Sequence, residues 1–244
     1  MKCSWFAAVI VAALFVLALA GTPFAGVVIT ETATAQGPNG ETFSVDKTIY
    51  VQGNKQKVER KSITTVTDLD RSIIYIINKH DRVYIEMPLH NMLSLAQPDN
   101  VQGQTILLDK TGKTRVIADQ PCDEYSRIEG NKLRRVTIRL CVSADAPGAK
   151  EVLQFDRKMA ARLSGGTSKR NAKDGTASLV LEKESVLRLR VPDPLHDQTY
   201  RMASLQVETR INKIQLKPLP PETFRPPTGY SKLQNQPEPT SQNL

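Results

Sequence analysis

The stretch Thr64–Pro88, TTVTDLDRSIIYIINKHDRVYIEMP, limits what this chain can fold into more than any other segment. It reads as three short β-strands joined by two tight turns, Asp68-Leu69-Asp70-Arg71 and Asn78-Lys79-His80-Asp81. Asp and Asn tolerate turn backbone and cap it with their own side chains. Between the turns, Ser72–Asn78 is rich in Ile and Tyr, residues that suit a pleated surface. A loop over 78–81 sets Ile77 opposite Arg82 and Tyr75 opposite Tyr84. Strand alternation then separates two faces. One carries Ile74, Ile76, Val83, Ile85 and Met87; the other carries Ile73, Tyr75, Ile77, Arg82, Tyr84 and Glu86. The purely apolar face requires a cover, whereas the mixed face can meet water. The expectation is a one-sided antiparallel sheet.

The rest of the chain supplies more of it. Val27–Gln36 alternates apolar and polar residues and meets the turn Gly37-Pro38-Asn39-Gly40. A strand returns from Thr42 to Gln52, breaks at Gly53-Asn54, and a further strand carries Val58 to Arg60. Leu89, Met92, Leu93 and Ala96 recur at helical spacing within Pro88–Ala96, a short helix placed to cover the apolar face. Thr105–Asp109 and Thr114–Asp119 are expected as a hairpin around Lys110-Thr111-Gly112-Lys113. After Ala146-Pro147-Gly148, the residues Val152, Phe155, Met159 and Leu163 predict the main helix over Ala149–Leu163, ended by Gly165-Gly166. Ser168–Gly175 reads as a polar loop. Ala177–Val191 and Tyr200–Leu216 read as two long strands joined by Pro192–Gln198. Periodicity vanishes from Pro218 onward, and Leu233–Leu244 has the composition of a disordered tail.

The first residues speak to address. Met1-Lys2-Cys3-Ser4 precedes an apolar run from Trp5 to Ala20 that ends Ala18-Leu19-Ala20, the three parts of a secretory signal peptide. Cleavage is expected after Ala20, with Ala25 as the alternative; the run is shorter than the roughly 20 residues a membrane span needs. No Cys follows the cut, so an acylated-cysteine lipoprotein is not expected. Residues 27–232 then form one domain in an exported, periplasmic protein. Cys122 and Cys141 remain, and an oxidising compartment lets them pair. They flank the turn Glu129-Gly130-Asn131-Lys132, whose centre between 131 and 132 puts position 122 opposite 141, within disulfide reach. The competing reading, a redox or metal-binding thiol, lacks a CxxC motif and clustered His.

Chemistry is sparse. His80, His90 and His196 sit in three separate turns or loops, with no HExxH and no i,i+4 pair. Ser44-Val45-Asp46-Lys47 matches SxxK spacing, but in a strand the Ser and Lys project in different directions. Nucleophile elbow, P-loop and Rossmann glycine patterns are absent, so neither an enzyme nor a metal or organic cofactor is expected. Without Lys2 there are 32 basic against 25 acidic residues. Scattered as they are, they read as a solvated surface, with peripheral contact to anionic lipid as the alternative. Aromatic interleaving of the kind a nucleic-acid groove shows is missing.

Several stretches together resemble a family of uncharacterised exported bacterial proteins, a domain of unknown function related to the LolA/LolB lipoprotein-carrier fold. They are Thr67-Asp68-Leu69-Asp70, Tyr84-Ile85-Glu86-Met87-Pro88, Pro121-Cys122 with Tyr125, Ala146-Pro147-Gly148, and Phe224-Arg225-Pro226-Pro227-Thr228-Gly229-Tyr230. The resemblance implies a mainly β (α+β) fold: a strongly curved antiparallel half-barrel whose concave apolar face is covered by short helices. In carrier relatives that concavity holds acyl chains, while regulatory relatives sense envelope stress through lipid or a partner protein. The expected function is therefore non-catalytic binding of a lipid or acyl chain, by a monomer, against Ile74, Ile76, Val83, Ile85, Met87, Met92 and Phe155. The alternative is an envelope interaction protein that binds another protein.

Overall fold

The computed structural model describes residues 26–91, 108–131, 133–163, 178–192 and 199–233. The signal peptide, most of the 88–96 helix (Met92 included), residues 105–107, the 168–175 loop and the 234–244 tail lie outside the described residues. Among the described residues twelve strands alternate with few other elements: β1 (Gly26–Gln36), β2 (Thr42–Gln52), β3 (Lys55–Glu59), β4 (Ile63–Asp68), β5 (Ile73–Asn78), β6 (Val83–Pro88), β7 (Asp109–Ile117), β8 (Gln120–Gly130), β9 (Arg134–Ser143), β10 (Leu179–Pro192), β11 (Tyr200–Lys217) and β12 (Ser231–Lys232). They form one open, curved sheet in the order β12-β6-β5-β4-β3-β2-β1-β11-β10-β9-β8-β7. All pairs are antiparallel except β12 with β6. Among the described residues one α-helix, α1 (Ala149–Leu163), accompanies the sheet, on the bounds its apolar spacing predicts. None of the described helices is long and apolar enough to cross a membrane.

The meander forms as expected, with one systematic difference. Its turns are Leu69–Ser72 and Lys79–Arg82, so Asn78 pairs with Val83, Ile77 with Tyr84 and Tyr75 with Glu86. Asp68 and Asn78 are the last residues of their strands, not members of the turns. The Asp68 carboxylate accepts the Arg71 N–H at 3.1 Å, and the Asn78 amide oxygen accepts those of His80 and Asp81 at 2.9 and 3.2 Å. Each loop closes on a residue in the left-handed region, Ser72 and Arg82. The cysteine hairpin shifts for the same reason. Asn131 caps the N–H groups of Leu133 and Arg134, which moves the turn toward the C-terminus and pairs Glu124, rather than Cys122, with Cys141. Cys122 bonds Cys141 diagonally, with Cα atoms 5.4 Å apart. A two-place change of partner preserves alternation, so both faces keep their residues.

Two other expectations are corrected. Lys110–Lys113 does not turn a hairpin. It is an irregularity within β7, and the chain reverses instead at Ala118-Asp119, both left-handed, giving a two-residue loop onto β8. The mixed face of the meander is also not left open to water as expected: Arg82 is exposed and Ile73, Tyr84 and Glu86 half-buried, but its centre is covered. Tyr75 and Ile77 are buried with Val28 and Val66 under Leu219 and Phe224, supplied by the supposedly aperiodic C-terminal segment. That segment crosses the sheet through a 3-10 turn, Pro221–Phe224, and finishes as β12. There the Ser231 N–H donates to the Arg82 carbonyl at 3.0 Å and the Leu233 N–H to the Tyr84 carbonyl at 2.8 Å. Proline holds the backbone extended while single apolar residues drop onto the sheet, so no period of 2 or 3.6 shows in the sequence.

On the other face, α1 lies across the sheet. Phe155 is enclosed by Val51, Leu69, Ile74 and Leu89, and Val152 bridges this cluster to a second one containing Val27, Ile29, the disulfide, Ala149 and Leu181. The helix start depends on Gly148, whose φ is +75° and where a Cβ would stand 2.4 Å from the Val27 side chain. Polar contacts fix the helix against the turns below it. The Gly53 N–H donates to the Glu151 carboxylate at 2.6 Å, Lys158 donates to the Asn54 side chain at 2.6 Å, and Arg162 to the Ser72 hydroxyl at 2.9 Å.

Candidate functional site: the apolar face of the sheet

The residues expected to line a ligand divide into two groups. Ile74 and Phe155 are 1% and 0% exposed, packed as core under α1. Ile76 and Met87 pack on the edge of that cluster and stay half-buried. Val83 and Ile85 are also half-buried, Ile85 facing Ile76 and Val83 facing Asn78 across the strands. Met92 lies outside the described residues. Of the seven, four thus remain partly accessible on one face.

A second apolar surface was not singled out from sequence. On β1 and β2 the alternation runs unbroken, so Ala33, Ala35, Val45 and Phe43 continue the face of Val27, Ile29, Ile49 and Val51 beyond the end of α1. Register carries the surface across the long strands. Phe43, Ala35, Val207, Ser185 and Ile138 follow one another along one row, and Val45, Ala33, Thr209, Lys183 and Leu140 along the next. Leu205, Leu187 and Val136 make a third row. Leu108 and Val180 join Ile138 and Leu140 of these rows in lining a groove of about 330 Å³ in which Lys183 supplies the one charge; the neighbouring Cys141, Leu179 and Leu181 turn the other way, into the core beside α1. That volume lies at the small end of the roughly 300–1,000 Å³ usual for ligand sites. The available signal was Leu187, Leu189 and Val191 alternating with Arg188 and Arg190.

The opposite face of the same strands is polar. Arg139 and Gln206 both donate to the Glu184 carboxylate, at 3.0 and 3.1 Å, and Arg210 and Arg115 converge on Glu182. Thr32 donates to Asp46 at 2.6 Å. Between the α1-covered core and the open apolar rows lies Glu31, 7% exposed. The Lys47 ammonium is 2.7 Å from its carboxylate, close enough for an ion pair although not aligned for a hydrogen bond. That contact, and alternation along β2, separate Lys47 from Ser44, so the SxxK spacing brings no nucleophile to a base.

Elsewhere, Glu59 gathers three partners. Burial pushes its carboxyl up, but the Lys79 ammonium at 2.7 Å, Lys57 at 3.6 Å and the Tyr50 hydroxyl at 3.2 Å outweigh this and hold it below the usual range. Burial and then the Glu59 charge push the Tyr50 hydroxyl up. Lys57 lies over the Tyr50 ring, which packs on the Val28 and Val66 cluster. It reads as a structural tie between β2, β3 and the second turn. His80 projects into solvent from that turn, His90 is also exposed, and His196 lies outside the described residues. Among the described residues no group of His, Cys, Asp or Glu is arranged to hold a metal ion.

No family model matches the chain, and no curated protein matches it. Solved structures do. A structure of PNGF-II is 11% identical with a TM-score of 0.35; the match covers 86% of this chain but only 31% of that one. A LolA superfamily protein from Nitrosomonas europaea is 8% identical with a TM-score of 0.31, covering 84% of this chain and 91% of the other. A DUF1329 family protein from Desulfovibrio piger is 7% identical with a TM-score of 0.32, covering 90% and 96%. The LolA superfamily and a domain of unknown function, the groups the sequence motifs resemble, thus stand among the structural neighbours. At these identities and scores the likeness carries no argument about ligand or activity.

Proposed function

We propose that this protein is a non-catalytic, monomeric binding protein of the periplasm that accommodates a lipid or acyl chain on the apolar face of its curved sheet. One observation carries the reading: Leu108, Ile138, Leu140 and Val180, with Lys183 at their side, line an open apolar groove on β9 and β10, on the side of these strands turned away from the disulfide and Leu181. An acyl chain laid there gains about 0.8 kcal/mol for each methylene removed from water. Lys183 offers a donor to the carboxylate or phosphate at its head. The half-buried Ile76, Val83, Ile85 and Met87 offer a separate apolar lining on the meander. Ile74 and Phe155 back that meander lining from the core under α1. The disulfide accords with an oxidising compartment.

The test is native mass spectrometry with lipid extraction of protein taken from a periplasm, followed by uptake of a fluorescent fatty acid. Leu140→Asp should abolish uptake if the groove is the site; Ile85→Asp should abolish it if the meander is. Absence of co-purifying lipid together with no uptake would sink the reading. A stoichiometric protein crosslinked to the chain in the native periplasm, without lipid, would favour an envelope interaction protein instead.

A further inference from the structure

The far end of the long strands carries a surface that acyl binding does not use. The turn after β8 and the connected end of the β10–β11 hairpin, at Pro192 and Tyr200, lie side by side. Arg135 pairs with Arg188, Arg134 with Leu189, and the Arg190 N–H donates to the Leu133 carbonyl at 2.9 Å. Across to β11, Arg190 pairs with Met202, Val191 with Arg201 and Pro192 with Tyr200. Three large apolar side chains converge here and project into solvent: Leu133, Tyr200 and Met202 are 60%, 57% and 58% exposed. A soluble surface gains nothing by holding three such groups together at its extremity.

Around them stand five exposed arginines, at 134, 135, 188, 190 and 201. None of the five forms an ion pair with another described residue, and the Arg190 guanidinium lies over the Tyr200 ring, 4.5 Å from its centroid. On the adjoining β8, Glu129 is already held by Arg127. In the sequence, Lys132 adds one positive charge and Asp193 and Asp197 two negative ones, so the end of the hairpins stays strongly basic.

Exposed aliphatic and aromatic groups ringed by guanidinium groups match one surface chemically, an anionic lipid bilayer. Arginines meet phosphate headgroups, Tyr sits at the interface, and Leu and Met enter the acyl boundary. We infer that the apposed ends of β8–β9 and β10–β11 dock this protein on membranes rich in acidic phospholipid. A nucleic-acid strand fits less well, since a lone tyrosine offers no run of stacking platforms.

The test is co-sedimentation of the exported chain with vesicles of phosphatidylethanolamine containing about one-third phosphatidylglycerol, against vesicles of phosphatidylcholine alone. Binding is expected only to the anionic vesicles. An arginine at such a surface is worth about fivefold in partitioning, so R188Q/R190Q should weaken binding about 25-fold. L133S/M202S should weaken it about tenfold or more, from the lost apolar insertion. These side chains are exposed, so melting curves should not move and serve as the folding control. Fatty-acid uptake should persist in both variants, which keeps this inference separable from the groove. Equal binding to neutral vesicles, or arginine dependence with no effect of L133S/M202S, would overturn it; the latter marks a general polyanion site.

Discussion

Phe224→Ala tests whether the C-terminal segment is structural cladding. Phe224 is 5% exposed and packs with Leu219 on Val28, Val66, Tyr75 and Ile77, behind which Tyr75 and Tyr84 meet edge to face with ring centroids 6.0 Å apart. Truncating a buried Phe leaves both the lost transfer energy and a cavity, together about 3–5 kcal/mol. The residue lies on one turn of 3-10 helix near a chain end, where partial collapse is easier, so the lower part of that range is expected. For a domain of this size 1 kcal/mol moves the midpoint by about 2–4 °C, which gives a fall of at least about 6 °C. Urea unfolding followed by far-UV circular dichroism is the assay, because Trp5, the one tryptophan, lies in the expected signal peptide. The slope of the transition should stay constant while its midpoint falls. The exposed neighbour supplies a control: Arg225→Ala should stay within about 0.5 kcal/mol. A loss below about 1 kcal/mol for Phe224→Ala would show that the segment is tethered through β12 alone. It would also return the mixed face of the meander to the solvent role expected from its composition.

Other outcomes follow from the same geometry. Cys122→Ser with Cys141→Ser should cost about 3 kcal/mol by the chain-entropy estimate for a 19-residue separation, read as a lower urea midpoint, with no free thiol titrating in the unreduced wild type. Gly148→Ala must hold φ near +75° and displace Val27, so at least about 1–2 kcal/mol of stability should be lost, measured by thermal melting. Glu59 has a depressed folded-state pKa, so its stabilisation is present above the unfolded value of 4.5 and lost as pH falls through the lower folded value. The stability difference between wild type and Glu59→Gln, small for such a part-exposed cluster, should therefore be constant at pH 6–7 and shrink below about pH 4.5.

Much of this fold was legible because strands and α1 announce themselves by period. The bounds of β2 and of α1 follow from alternation and from Val152, Phe155, Met159 and Leu163 alone. Turn centres were less legible. In the second meander turn and the cysteine hairpin, an Asn looked like a turn member when it stands just before the reversal and reaches over it. Cladding by residues 219–230 was invisible, since isolated Leu219, Phe224 and Tyr230 between prolines form no repeat. The apolar rows of the distal strands were visible as alternation in β10. Their joining with Ala33, Phe43 and Val45 required the β1–β11 pairing, which no local pattern encodes.

That pairing also has a kinetic consequence. Gly26 meets Lys217 and Gln36 meets Gln206, so the seam between the N-terminal and C-terminal halves of the sheet closes over most of the chain length. The strands from β1 to β6 connect to their neighbours through short loops and can zip locally. Through that interval the outer edge of β1, with Val27, Val28 and Ile29, stays unpaired until β11 arrives. Loop-closure entropy makes this the slow step. A half-finished sheet with an apolar open edge is the species most prone to recruit another copy of itself. Refolding yield should therefore fall with protein concentration even where the finished molecule is freely soluble.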